Sequence, residues 1–221
     1  VPINDAKKSI DDMIAKGAVD YGWLGVTVTD MNEKLANEMN LSTQDGAFIH
    51  NVYLNSPAEE GGLLPGDFVT EIEGKKIKSR DDLVRMVGNM KSGERVDFTV
   101  IRYGQEKTVT VEIGKRKDEE AIQSQQNKLW PGMIVLPLEK QARAQLNIDS
   151  SVTGVLVANL PKKSKPFIGG LRPYDVITEI NDKDIESLMD FYKAVNDQTT
   201  DEYKISFIRE GSKFSIGISK E

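Results

Sequence analysis

The sequence predicts an α+β fold, mainly β, built from two similar units. Each unit is expected to be a partly closed antiparallel sheet with two helices, and a short helix precedes the first. Three observations lead to this prediction. The sequence contains a long internal repeat, apolar residues alternate along several segments, and in each copy apolar residues recur at helical spacing after a serine.

The internal repeat indicates two domains in the chain of 221 residues. Residues 46–79, beginning GAFIHNVYLNSPAEEGG, align without gaps with residues 154–187, beginning GVLVANLPKKSKPFIGG. The spacing is 108 inside this block and 107 outside it, where Trp23 and Gly25 correspond to Trp130 and Gly132. One small insertion or deletion on each side of the block accounts for the change. The predicted units span residues 20–114 and 129–221.

Each unit contains the same series of predicted elements. An apolar strand follows the Trp-x-Gly corner, and the strand AFIHNV leads to Ser56-Pro57, a serine cap with a proline suited to the first helical turn. FVTEI alternates as a strand does. A second helix follows Ser79, because apolar residues recur at i, i+3, i+4 and i+7. They are Leu83, Met86, Val87 and Met90, and in the second copy Leu188, Phe191, Tyr192 and Val195.

Two segments lie outside the units. Residues 1–19 contain NDAKKSIDDMIAKG, with apolar residues on one face and a glycine stop, which predicts a connector helix. Residues 115–128 are polar and lack periodicity, which indicates a linker. The alternative is that this linker is partly helical around Asp118–Gln126.

Composition excludes several classes of protein. The net charge of −6 and the lack of a basic patch argue against a nucleic-acid partner. No stretch approaches the roughly 20 apolar residues that span a bilayer, so no membrane insertion is expected. The chain has no cysteine, which excludes disulfides and thiolate catalysis. Because it starts at VPIN without a methionine, we expect it to be part of a longer protein.

The order of these motifs resembles the bacterial type of PDZ domain, and SPAEEGGLLPGDFVTEIEGKKIKS carries most of the resemblance. The resemblance covers both units. The arrangement of helix, unit, linker and unit after VPIN is similar to the region that follows the protease domain in HtrA/Deg-type (DegP-like) exported serine proteases. The predicted bounds therefore become a first PDZ domain at 20–114 and a second at 129–221.

The resemblance implies a peptide groove in the first unit. A PDZ domain takes an extended peptide as an added strand between one strand and one helix. The backbone amides of Leu24, Gly25 and Val26 would hold the peptide carboxylate, and glycine allows the close approach. The pocket for the last side chain would be lined by Val28, Leu83, Met86 and Val87. The alternative is that these side chains are simply core. Trp23 could flank the groove or cap the domain.

The second unit departs from this pattern. Pro131 takes the position of Leu24 and has no N–H to donate, so only Gly132 and Met133 remain as carboxylate donors. Its pocket would be lined by Val135, Leu188 and Phe191. We expect the second unit to bind free C-termini more weakly or to dock between subunits. The alternative is that Pro131 only stiffens the loop and water supplies the missing donor.

No catalytic residue, cofactor or metal site is predicted for this chain. Its single histidine, His50, lies in a strand, and neither G-x-S-x-G nor GNSGG occurs. We expect His50 at the rim of the sheet. The resemblance implies that the parent protein is a serine endopeptidase of the HtrA family and that this chain alone is not an enzyme.

The function that the resemblance implies is a periplasmic, bacterial peptide-binding tandem. It would recognise apolar C-termini of unfolded proteins and regulate or oligomerise an HtrA-like protease-chaperone. Its partners would be such peptides and proteins, its own protease domain and other subunits of a homo-oligomer. One alternative is a scaffold or adaptor without a protease, and another is the PDZ pair of a membrane protease or secretion apparatus.

Overall fold

The computed structural model describes residue 13, residues 20–116 and residues 118–220. The predicted connector helix over residues 1–19 lies, apart from Met13, outside the described residues. The two repeats fold as two similar antiparallel units, as the sequence predicts. The α+β, mainly β prediction is confirmed.

The first unit contains a five-strand path with the order β2-β3-β4-β6-β7, and β5 pairs with β4. A separate pair, β1 with β8, brings the two ends of the unit together. The strands are β1 Gly22–Trp23, β2 Val26–Asp30, β3 Ala47–Tyr53, β4 Phe68–Ile72, β5 Lys75–Lys76, β6 Arg95–Arg102, β7 Gln105–Glu112 and β8 Gly114–Lys115. The helices are α1 Glu33–Glu38, α2 Pro57–Gly61 and α3 Arg80–Asn89.

The second unit repeats this order as β10-β11-β12-β14-β15, with β13 on β12. Its strands are β9 Leu129–Trp130, β10 Ile134–Pro137, β11 Val155–Asn159, β12 Val176–Ile180, β13 Lys183–Asp184, β14 Glu202–Arg209 and β15 Ser212–Ser219. Its helices are α5 Lys140–Gln145, α6 Lys165–Gly169 and α7 Leu188–Val195. The segment before it forms helix α4, Glu119–Ser124, and a 3-10 turn, Gln126–Lys128. The partly helical alternative for the linker is the one observed.

Serine caps start the helices of the repeat. The side chain of Ser79 accepts a hydrogen bond from the amide of Asp82, and Ser187 does the same for Asp190. These caps satisfy amides that have no partner inside the helix. They fix where α3 and α7 begin, and hence where the apolar face of each helix lies beside its sheet.

A buried ion pair anchors the turn before β4. Asp67 is fully buried, and the guanidinium of Arg102 contacts both of its carboxylate oxygens at 2.6 and 2.7 Å. The same guanidinium donates to the carbonyl oxygen of Gly62 at 2.7 Å. Burial raises the pKa of Asp67, and Arg102 opposes that effect. Arg209 and Asp175 repeat the pair in the second unit.

One core lies inside the first unit, and the other is shared between the units. Buried side chains from α1, β3 and β4 of the first unit pack in one cluster with the core of the second. In addition, β9 pairs with β3, so the start of the second unit extends the first unit's sheet. The residues that the first unit contributes to the shared cluster are Met31, Leu35, Ala36, Met39, Phe48 and Phe68. The units are therefore packed against each other through apolar contacts.

Candidate functional site: one open groove and one closed groove

The first unit has an open, mainly apolar groove of about 460 Å³ between β2 and α3. The edge of β2 that faces the groove is the free edge of the sheet, since β3 occupies its other side. An extended chain could therefore pair with β2 as an added strand. The predicted residues that line this groove are Leu24, Gly25, Val26, Val28, Leu83 and Val87.

The corner at the head of the groove has the backbone geometry that the sequence predicts. Gly25 has φ = 86°, and a side chain there would meet Ser56, whose Cβ lies 2.4 Å from the position of an added Cβ. Glycine is thus required by both conformation and space. The carbonyl oxygens of Leu24 and Gly25 accept bonds from Ala58 and Tyr53. Within the described part of the chain, the amides of Leu24 and Gly25 donate no hydrogen bond to protein.

The walls differ in part from the prediction. Met86 is half-buried against the first unit's core and does not line the groove. Trp23 does line it, with its ring 6.0 Å from that of Tyr53. Sequence reasoning missed several wall residues, among them Val84 and Ile122. Val84 is 50% exposed on α3, and Ile122 reaches the groove from α4.

The second unit's equivalent loop is already occupied. The amide nitrogens of Gly132 and Met133 donate to Oδ1 of Asn51, at 2.8 and 3.0 Å. Asn51 belongs to β3 of the first unit, and its Nδ2 donates to the hydroxyl of Thr27 at 2.9 Å. The two carboxylate donors predicted for the second unit thus converge on one oxygen, and that oxygen comes from the first unit.

The predicted wall residues of the second unit are buried as well. Val135, Leu188 and Phe191 are fully buried. The ring of Phe48, from the first unit, lies edge-on to Tyr192 at 5.4 Å between centroids. Polar contacts join the same faces, including the hydrogen bond from Asn196 Nδ2 to the carbonyl oxygen of Pro65 at 2.7 Å. The first unit therefore covers the part of α7 that carries Tyr192 and the residue that follows the helix, Asn196.

His50 lies in the interface between the two units, which we call the seam. There Phe48 and His50 of β3 contact Tyr192 of α7. The prediction that His50 sits at the rim of the sheet was wrong, because the second unit packs over that part of β3. It is 4% exposed, and its Nδ1 lies 3.2 Å from the hydroxyl of Tyr192. Burial lowers its pKa to about 4, so the ring is neutral at pH 7. Among the described residues, no group of three or more histidine, cysteine or acidic side chains could hold a metal ion.

The PDZ domain family profile matches residues 22–113 and residues 122–219. The chain belongs to the PDZ domain family and contains two copies of the domain. It is 35% identical over 199 residues to a probable DegP-like periplasmic serine endoprotease of Marinomonas sp. (strain MWYL1), covering 89% of this chain and 42% of the relative. The DegP-like protein of Hahella chejuensis (strain KCTC 2396) is 32% identical over 204 residues, covering 88% of this chain and 42% of the relative.

The chain therefore spans about two fifths of the length of these relatives. Among solved structures, the HtrA-type protease AlgW with a decapeptide is 31% identical, with a TM-score of 0.48. That match covers 53% of this chain and 36% of the other. In the part of the chain that the structure describes, the helices are too short or too polar to cross a membrane.

Proposed function

We propose that this chain is the peptide-recognition tandem of an HtrA-type exported serine protease, and that its first unit captures apolar C-termini. The observation that carries the proposal is the first groove, where the amides of Leu24 and Gly25, without a protein acceptor among the described residues, head an apolar cleft. Two consecutive amides of this kind favour a carboxylate, and the cleft below them favours an apolar side chain.

The protease context rests on the relatives. Two relatives of more than 30% identity are named as DegP-like periplasmic serine endoproteases, and this chain matches only part of their length. In such a protein the tandem would deliver unfolded proteins to a protease domain in the periplasm and would regulate or oligomerise the enzyme. The shared core supports a role in which both units move together.

Gly88 offers a clean way to block the groove. It lies on α3, lines the groove, and a Cβ added there would meet nothing within 4 Å. A phenylalanine at this position would project into the groove without disturbing the core. Alanine at the same position is the matched control, because it improves helix propensity by about 1 kcal/mol and leaves the groove open.

The experiment is a calorimetric titration with a peptide that ends in valine, as the free acid and as the C-terminal amide. Wild type and Gly88→Ala should bind the free acid with a Kd of micromolar order and the amide at least tenfold more weakly. Gly88→Phe should bind neither. If Gly88→Phe binds as wild type does, or if the amide binds as tightly as the acid, the proposed groove is wrong.

A further inference from the structure

The Asn51 side chain resembles a bound carboxylate in its contacts. One oxygen accepts from the consecutive amides of Gly132 and Met133, and the side chain is buried, with the residue 4% exposed. Consecutive backbone amides that converge on one oxygen form an anion-binding concavity. An amide oxygen is the closest neutral substitute for a carboxylate oxygen. Asn51 of the first unit therefore places an acceptor oxygen in this loop, where a carboxylate oxygen of a peptide C-terminus would accept the same two hydrogen bonds.

The repeat shows that the two loops are equivalent. Gly132 and Met133 occupy the positions of Gly25 and Val26, and Gly132 has the same left-handed conformation, with φ = 78° against 86°. The first loop opens on a groove, whereas the second contacts Asn51. The two glycines thus share a conformation, while the units differ in the occupant of the loop, in the missing N–H of Pro131 and in the cis Trp130–Pro131 peptide bond.

The repeat also supplies an internal control for Asn51. Asn159 is its counterpart in the second unit, and it lies opposite Ile134 in the strand register as Asn51 lies opposite Thr27. Asn159 is exposed. The same residue type in the same strand position is therefore buried in a loop of amides in one unit and in contact with solvent in the other.

We propose that the Gly132–Met133 loop is a second binding site for peptide C-termini, which the first unit holds closed by inserting Asn51. This inference rests on the proposed peptide-binding function. The site becomes available when the seam between the units opens, because Phe48 of the first unit covers Tyr192 on α7. Docking of the units and peptide binding to the second unit then exclude each other.

Replacing Asn51 by aspartate tests the carboxylate character of the loop without any peptide. At an ordinary buried position the new charge would be strongly destabilising. In this loop it would accept two backbone amides, and the hydroxyl of Thr27 can rotate to donate a third bond. Asn51→Asp should therefore melt at or above the wild-type temperature at pH 7, with the pKa of the introduced carboxyl below the usual range of aspartate. The control Asn159→Asp should leave the melting temperature unchanged.

Opening the loop tests peptide binding by the second unit. In a Gly88→Phe background the first groove is blocked, so any binding reports the second site. Adding Asn51→Ala to that background empties the loop and weakens the seam. A saturating concentration of the valine-ended free acid should then bind, seen as shifts of the Gly132 and Met133 amide resonances, with no shift from the amidated peptide. Asn159→Ala in the same background should produce none.

The results separate the two proposals. If the wild-type chain does not bind the peptide, the proposed function is wrong. If wild type binds but the Asn51→Ala double variant gains no free-acid binding, the closed-site proposal is overturned. A clear fall in melting temperature for Asn51→Asp at pH 7 would also overturn it, because it would mark Asn51 as an ordinary structural amide.

Discussion

His50 Nδ1 lies 3.2 Å from the hydroxyl of Tyr192, 142 positions further along the chain. This contact joins β3 of the first unit to α7 of the second. Phe48 lies against both rings, edge-on to His50 at 5.1 Å and to Tyr192 at 5.4 Å. The only histidine of the chain is thus part of the seam that closes the second groove.

We predict that acid weakens this seam. The pKa of His50 falls from 6.5 to about 4 on folding because of burial. Because this pKa is lower in the folded state than in the unfolded state, the free energy of unfolding has its full value above pH 6.5. It decreases as the pH falls toward 4. At pH 5 the loss is about 2 kcal/mol by linkage. Urea unfolding at pH 7.5 and pH 5 measures it.

The variant His50→Gln is the control for that pH effect, because glutamine can still bond the Tyr192 hydroxyl and does not titrate. The charged groups that line the adjoining cleft, Asp30, Lys34, Arg80 and Glu139, remain in both proteins. The loss of stability between the two pH values should be about 2 kcal/mol smaller in His50→Gln. An equal loss in both proteins would show that His50 does not titrate in the seam.

Truncating Tyr192 should destabilise both units. Its side chain is fully buried against Phe48, so Tyr192→Ala should cost about 3–5 kcal/mol of unfolding free energy. Hydrogen exchange should speed up in β3 of the first unit as well as in α7. The control is Tyr174→Ala, which removes a 66% exposed tyrosine of the same unit and should change stability by less than about 0.5 kcal/mol. If faster exchange were confined to the second unit, the shared core would be refuted.

The two repeated ion pairs should differ in how much they contribute to the free energy of unfolding. Arg102 has a side chain only 13% exposed beside fully buried Asp67, so Arg102→Leu leaves a buried carboxylate unpaired and should cost about 3 kcal/mol. The side chain of Arg209 is 35% exposed beside Asp175, and solvent replaces part of what is lost. Arg209→Leu should therefore cost less. Urea unfolding of both variants measures this, and equal costs would contradict the role given to burial.

Much of the fold follows from the sequence because the repeat is long and regular. The strand and helix starts and the glycine corner at Gly25 depend on local pattern, and the structure has them where the pattern predicts. The family resemblance, and not local pattern, implied walls at Val28, Leu83 and Val87, and these side chains line the groove. The resemblance also implied Met86, which packs against the first unit's core, because helical spacing identifies the apolar face of α3 but not which of its residues border the groove.

The closed second groove could not be predicted from local pattern. It depends on which faces of the two units meet, and that is decided by contacts between residues far apart, such as Asn51 with Gly132. One signal was available. Counted from the capping residues Ser79 and Ser187, Tyr192 of α7 corresponds to the exposed Val84 of α3, so α7 carries an aromatic residue on a face that α3 leaves to solvent.

We propose that the two loops differ in access, with the first open to a C-terminus and the second closed by Asn51. The most direct measurement is a nitrogen-15 chemical-shift titration of the wild-type chain with a valine-ended peptide. We predict that the free acid shifts the amides of Leu24, Gly25 and Val26 and leaves Gly132 and Met133 unchanged, and that the amidated peptide shifts none of them at the same concentration. Shifts at Gly132 and Met133 equal to those at Gly25 would show that the second loop is not closed. The absence of a shift at Gly25 would show that the first loop does not bind a C-terminus.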